Sequence, residues 1–183
     1  MIAEDVTEMT FAKAMYAFLT EFSTPELDLE HIMNGFENDV TLPPDGNDFA
    51  VFRPLSVRRR GTNSETYEKD SDGRDIMTVG SYQEMLIQVD FYSKNWRDAQ
   101  RRAQTIECVA RSSYGPAFFN QFGLDCLYAD EAQNLTAVMD SRKFVSRWSL
   151  ILHVGHWKRV EIPQDFFTTA APLVTEVGVK FKP

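Results

Sequence analysis

Two runs of strict apolar and polar alternation constrain this chain more than anything else in it. In EMLIQVDF, Met85, Ile87, Val89 and Phe91 fall on one side and Glu84, Gln88 and Asp90 on the other. Later, Phe144, Trp148, Leu150, Leu152 and Val154 alternate with Arg147, Ser149 and His153. A period of two places side chains on opposite faces of a strand, so both runs demand a sheet with one face covered by something apolar. Phe49, Val51, Leu55 and Val57 form a weaker run, in which Pro54 requires a sheet edge or a bulge because it has no N–H to pair. Shorter strands are expected at Val40 to Leu42, Leu124 to Tyr128 and Val160 to Ile162, with a last one through Leu173, Val177, Val179 and Phe181.

The cover comes from helical spacing. From Glu4 to Phe22, residues Phe11, Met15, Phe18, Leu19 and Phe22 make one stripe, started by an Asp5 and Glu8 capping box and stopped at Ser23-Thr24-Pro25. A second helix follows Ser93 as its cap. Its seam of Trp96, Ala99, Ala103, Ile106 and Ala110 lies opposite Arg97, Arg101, Arg102 and Glu107, which are expected in water, and Gly115-Pro116 ends it. Residues from Pro116 to Gly123 add a short aromatic helical turn. Between the strands, the polar stretch Gly61 to Asp75 carries Asp72-Gly73, the signature of a two-residue hairpin.

The order helix, strands, helix, strands does not read as alternating βαβ units. It gives an α+β class: an antiparallel or mixed β-sheet with two main α-helices on one face and a protruding β-hairpin or loop. At 183 residues the chain is expected to be a single domain, residues 1–183 with an approximate core of 5–181. A chain this long buries about 70% of its unfolded surface, so 43% apolar content suffices without disulfides or metals. Cys108 and Cys126 form no CxxC pair, the N-terminus is acidic, and no apolar run reaches the roughly 18 residues needed to cross a bilayer. A soluble protein made in the cytoplasm, with no membrane partner, is expected. The net charge of −8 argues against wrapping nucleic acid, while leaving room for DNA to pass without sticking.

Few residues offer chemistry. Asp70, Asp72, Gly73 and Asp75 have glycine at the fourth position of a would-be calcium loop where the sixth is required, so a hairpin tip is the better reading. His153 and His156 point to opposite faces of a strand and lack a third ligand, and Glu107 and Cys108 read as solvated charge and packed thiol. No phosphate loop of the GxGxxG or GxxxxGK[ST] type occurs. No catalytic residue, metal site or cofactor is therefore expected, and a small hydrolase or nuclease ranks last among the alternatives. Arg58, Arg59 and Arg60 suit either a phosphate or acidic partner, or a strand edge kept from aggregating by charge. Trp157, Phe166 and Phe167, flanking Pro163, resemble a docking arm more than a core strand.

Three segments carry a resemblance: DFAVFRPLSVRRRGTN with Tyr67 after it, QVDFYS leading into the second helix, and SRWSLILHVGHWKRVEIPQDFF. In this order and spacing the chain resembles the tail-terminator or neck-terminator proteins of tailed bacteriophages, from about Asn38 to the C-terminus. Residues that fit the family pattern are Pro54, Leu55, Arg59, Asn63, Asp90, Tyr92, Arg147, Trp148, Trp157, Asp165, Phe166 and Phe167. The resemblance implies a virion protein assembled in the host cytoplasm. It implies a ring of identical copies, commonly a hexamer, that caps the tail tube protein, ends tube growth and meets the head-completion or connector proteins. Genomic DNA would pass through its lumen without specific contact. The expected contacts are Arg58, Arg59, Arg60, Asn63, Tyr67, Asp72, Gly73, Trp157, Arg159, Asp165, Phe166 and Phe167. A head-tail connector, or another phage morphogenesis protein of the same class, is the principal alternative.

Overall fold

A computed structural model describes residues 8–35, 48–69, 71–139 and 143–163. The Asp5 cap, the Val40 to Leu42 strand, the strand expected in the tail, and Asp165, Phe166 and Phe167 lie outside these residues. The elements run α1 (Glu8–Phe22), β1 (Ile32–Asn34), β2 (Phe49–Arg59), β3 (Ser64–Lys69), β4 (Asp75–Ser93), α2 (Trp96–Ala110), α3 (Tyr114–Asn120), β5 (Asp125–Ala129), β6 (Gln133–Asn134), β7 (Ala137–Met139) and β8 (Lys143–Pro163). A 3-10 turn, Leu29–His31, precedes β1.

The fold is α+β and its sheet is mixed. Strands run in the order β1-β2-β4-β8-β5, with β3 added to β4, and β6 and β7 added to β8. Among the described residues only β1 and β2 pair in parallel; the other ladders are antiparallel. The spine is the β4–β8 ladder, which pairs without a shift from Ser93↔Ser146 to Ile76↔Pro163. Both strands are far longer than their alternating runs indicate, because the first half of β4 and the second half of β8 interleave polar residues that hide the apolar positions.

The stripe of α1 does what its spacing requires: Phe11, Met15, Phe18 and Leu19 are buried. Met85, Ile87, Val89 and Phe91 of β4 meet Leu150, Leu152 and Val154 of β8 beneath the helices. Phe18 also packs on α3, its ring 4.9 Å from that of Phe119. Burying one side chain of this size contributes about 1.5–3 kcal/mol, so this face holds the fold.

Several local expectations are corrected. The cap of α2 is Asn95, whose side chain accepts from the Arg97 N–H; Ser93 instead accepts from the Asn95 N–H and donates to Asp48. Trp96 does not join the seam: it is 54% exposed, with the Arg97 guanidinium 5.6 Å from its ring. Arg102 is only 4% exposed, donating to the Pro25 carbonyl and to Asp48, which ties α2 to the entry of β2. Cys108 is exposed where a packed thiol was expected. Gly115-Pro116 does not end α2 but opens α3, a first-turn position where the missing N–H of proline costs nothing.

Pro54 satisfies both of its options. The β2–β4 register shifts between Pro54 and Ser56, and among the described residues β1 covers β2 only from Ala50 to Phe52, so Pro54 lies at a bulge on an edge that no described strand covers. The hairpin forms where Asp72-Gly73 places it, but its last pair is Lys69↔Asp75, so the connection is longer than the two-residue turn, with Gly73 at φ 77°. Of the segment expected to be a detached aromatic arm, Trp157 to Phe167, the described part continues β8 to Pro163 and pairs with β4.

Candidate assembly surface

The hairpin and the aromatic segment thus become one structure. Beyond Tyr82 the sheet continues as a three-stranded arm in which β3 pairs with β4 from Ser64↔Gly80 to Lys69↔Asp75, and β8 flanks the other side of β4. All of β3 is exposed, as is β8 from Trp157 to Ile162. Alternation sorts the arm into two faces. One bears Ser64, Thr66, Glu68, Thr78, Gly80, Trp157, Arg159 and Glu161, which line a shallow groove of about 380 Å³. The opposite face carries the cross-strand rows Glu65, Val79, Val160 and Tyr67, Met77, Ile162.

The arm joins the body at an aromatic clasp. Tyr82 packs edge-on against Trp157 with centroids 5.3 Å apart and donates to Asp125 at 2.8 Å. Its ring lies over Gly155, where an added Cβ would fall 2.0 Å from the Tyr82 hydroxyl. Burial, then the bond to Asp125, pushes the Tyr82 phenol up to about 12. Trp157 itself remains 44% exposed.

On the helix-free face of the body, polar side chains are spent on one another. Glu84 is fully buried, accepting from Arg60 and facing His153 Nδ1. The hydrogen bond from Arg60 outweighs burial and, with His153, holds the Glu84 carboxyl below its ordinary value. His153 Nε2 faces Asp130 Oδ1 at 3.4 Å, and Tyr128 stacks on the ring. With carboxylates at both nitrogens, this imidazole has no hydroxyl or thiol to activate. His156 lies on the other side of the sheet, edge-on to Phe11. Farther along, Arg147 donates to Asp90 at 2.9 Å and lies over Tyr92. Burial opposes the Arg147 charge, but the bond and charge of Asp90 outweigh it and raise its pKa.

These contacts separate residues that the sequence left together. Asp90, Tyr92 and Arg147 form one ion-pair cluster within the fold, and Arg60 is held by Glu84. Arg58 and Arg59 are exposed at the end of β2 and make no ion pair among the described residues; Asn63 is exposed in the connection to β3. Tyr67 is 57% exposed and donates to Glu65, whose hydrogen bond raises its pKa. Asp72 pairs with Arg74 at 3.2 Å beside Gly73 at the hairpin tip, and Arg159 lines the groove with Trp157.

A second surface was not foreseen. Between α1 and the 3-10 turn lies an open groove of about 1260 Å³ whose floor includes Tyr16, Ala17, Leu29 and Ile32 and whose rim carries Lys13, Glu21, Asp28 and Glu30. The stripe reading assigned α1 one buried face, and nothing in its spacing signals that Tyr16 borders a cleft. Ligand atoms of Asp28, Glu30 and His31 lie within 4.8 Å of one another there, with Asp28 and Glu30 exposed to water. No helix among the described residues is long and apolar enough to cross a membrane.

Comparison with known proteins gives a whole-chain match. The family model for phage neck terminator protein matches residues 10–178, and so takes in the first helix and the 26–35 segment as well as the three resembling segments. No curated protein matches the chain.

Proposed function

This chain belongs to the phage neck terminator protein family, a family of structural proteins of the phage neck, and from that premise we propose that its copies form a ring, most simply a hexamer, that caps the tail tube. The ring ends polymerisation of the tube protein and offers its other side to the head-completion proteins. The match over residues 10–178 carries this reading. A ring of identical subunits needs two different patches per copy, one meeting the other on the next copy. A projecting arm and a groove elsewhere on the same chain suit that requirement. The residues of the arm and its base, Arg58, Arg59, Asn63, Tyr67, Asp72, Gly73, Trp157 and Arg159, are the proposed contacts, continuing into Asp165, Phe166 and Phe167. Arg60 is assigned to the fold through Glu84. An overall charge of −8 suits a lumen through which DNA moves without binding.

Negative-stain microscopy of the purified full chain, alone and mixed with tail tubes, tests the proposal. Rings seated on tube ends are the expected result. A chain that stays monomeric and ignores tubes defeats it, and binding to portal or adaptor rings in place of tubes transfers the chain to the connector class.

A further inference from the structure

The two faces of the arm differ in what they offer a partner. The groove face is polar, with Trp157 already packed on Tyr82. The opposite face is not. Moving outward from the body, the pairings Arg59↔Gln83 and Ser81↔Lys158 put two cations at its base, followed by the row Glu65, Val79 and Val160 and then Tyr67 with Ile162. Among the described residues Val160 is 50% exposed and Ile162 37%. The groove between α1 and the 3-10 turn has the complementary arrangement: an apolar floor that includes Tyr16 and Leu29, and a rim on which Glu21, Asp28 and Glu30 outnumber Lys13.

Resting on the ring reading, we propose that the ring contact is heterologous. The Tyr67, Val160 and Ile162 face of one copy's arm seats on the α1 groove of the next, with Arg59 and Lys158 against Glu21, Asp28 and Glu30. The occupant is a second copy because one chain carries both halves, matched in apolar content and in sign of charge. An arm face on which Arg59 and Lys158 outweigh Glu65 and a groove on which Glu21, Asp28 and Glu30 outweigh Lys13 carry net charges of opposite sign, which also disfavours the symmetric arm-to-arm pairing that would stop assembly at a dimer. Tube and head proteins are then left to the polar arm face and the tip.

Charge reversal tests this on the full chain, with sedimentation velocity reading ring formation and far-UV circular dichroism reading the fold. R59E/K158E and E21K/E30K place like charges together, and each is expected to weaken ring assembly by at least about tenfold without changing the spectrum. Mixing the two variants pairs unlike charges at both contacts between unlike copies, so the mixture is expected to form alternating rings, and a single chain carrying all four changes is expected to recover rings. Ile162→Ser tests the apolar half and is expected to weaken assembly with the fold intact. A parent that forms rings while both reversals assemble normally overturns the contact and leaves the ring reading standing. Failure of the fourfold variant to recover rings overturns the contact in the same way. Reversals that keep the ring but lose the tube assign the arm face to the tube protein, which also overturns it. A parent monomeric even on tail tubes defeats the ring reading, and this contact with it.

Discussion

The inner and outer halves of the β4–β8 ladder are one continuous pairing with two different environments. From Glu84 to Phe91, β4 is buried on both faces, by helices on one side and by its own ion pairs on the other. From Asp75 to Val79 the same strand is only half-buried, and its β8 partner is exposed from Trp157 onward. Backbone pairing is equally regular in both halves, so hydrogen bonds do not distinguish them. Burial does, and it separates the part of the strands that holds the core from the exposed part that we propose meets other chains.

The largest test of this contrast is truncation. Ile87→Ala in the inner half is expected to cost about 2–5 kcal/mol, and Val79→Ala in the outer half less than about 1 kcal/mol, by denaturant unfolding. Equal losses would erase the distinction. Next comes Gly155→Ala at the clasp. The new Cβ would displace the Tyr82 ring, at an expected cost of about 1–3 kcal/mol, and the lost Asp125 bond would bring the Tyr82 phenol down from about 12 in an ultraviolet titration. An unshifted phenol would mean the ring never lay over Gly155.

Glu84 gives a smaller, pH-dependent test. Its carboxyl titrates below the ordinary 4.5 in the folded chain, so its contribution is complete above that value and is lost as pH falls through the folded pKa. Replacement by glutamine is expected to cost about 1–3 kcal/mol at neutral pH and to flatten the acid limb of the stability curve. An unchanged acid limb would show that Arg60 and His153 do not hold the charge. Smallest of all, Val160→Ser in the arm is expected to shift stability by within about 0.5 kcal/mol. A loss of several kcal/mol would place that face in the core.

The inner half was legible in the sequence because its two buried faces differ in chemistry, apolar beneath the helices and charged or amide-bearing on the other side, which forces strict alternation; the stripe of α1 was legible because only one side of that helix meets the core. The outer half was not. In TVGSYQ and WKRVEIP the exposed faces tolerate both polar and apolar residues, so the period of two is blurred and one strand looked like a strand and an arm. Arg102 escaped because a helix wheel assigns a side chain to a face but not to Asp48 or the Pro25 carbonyl, which come from distant segments. The Glu84, His153 and Arg60 cluster escaped because its members meet only once β2, β4 and β8 are in register. The hairpin was placed correctly by Asp72-Gly73 while its turn length was not, since dipeptide preference does not set where the ladder closes.

Amide hydrogen exchange along β4 and β8, measured for the full chain alone under dilute conditions and again seated on tail tubes, tests the division most directly. Slow exchange from Glu84 to Phe91 in both states is expected, with exchange from Ile76 to Gly80 and from Trp157 to Ile162 fast when alone and slowed on assembly. Uniform protection along both strands in the free chain, or an outer half that stays unprotected on assembly, would contradict it.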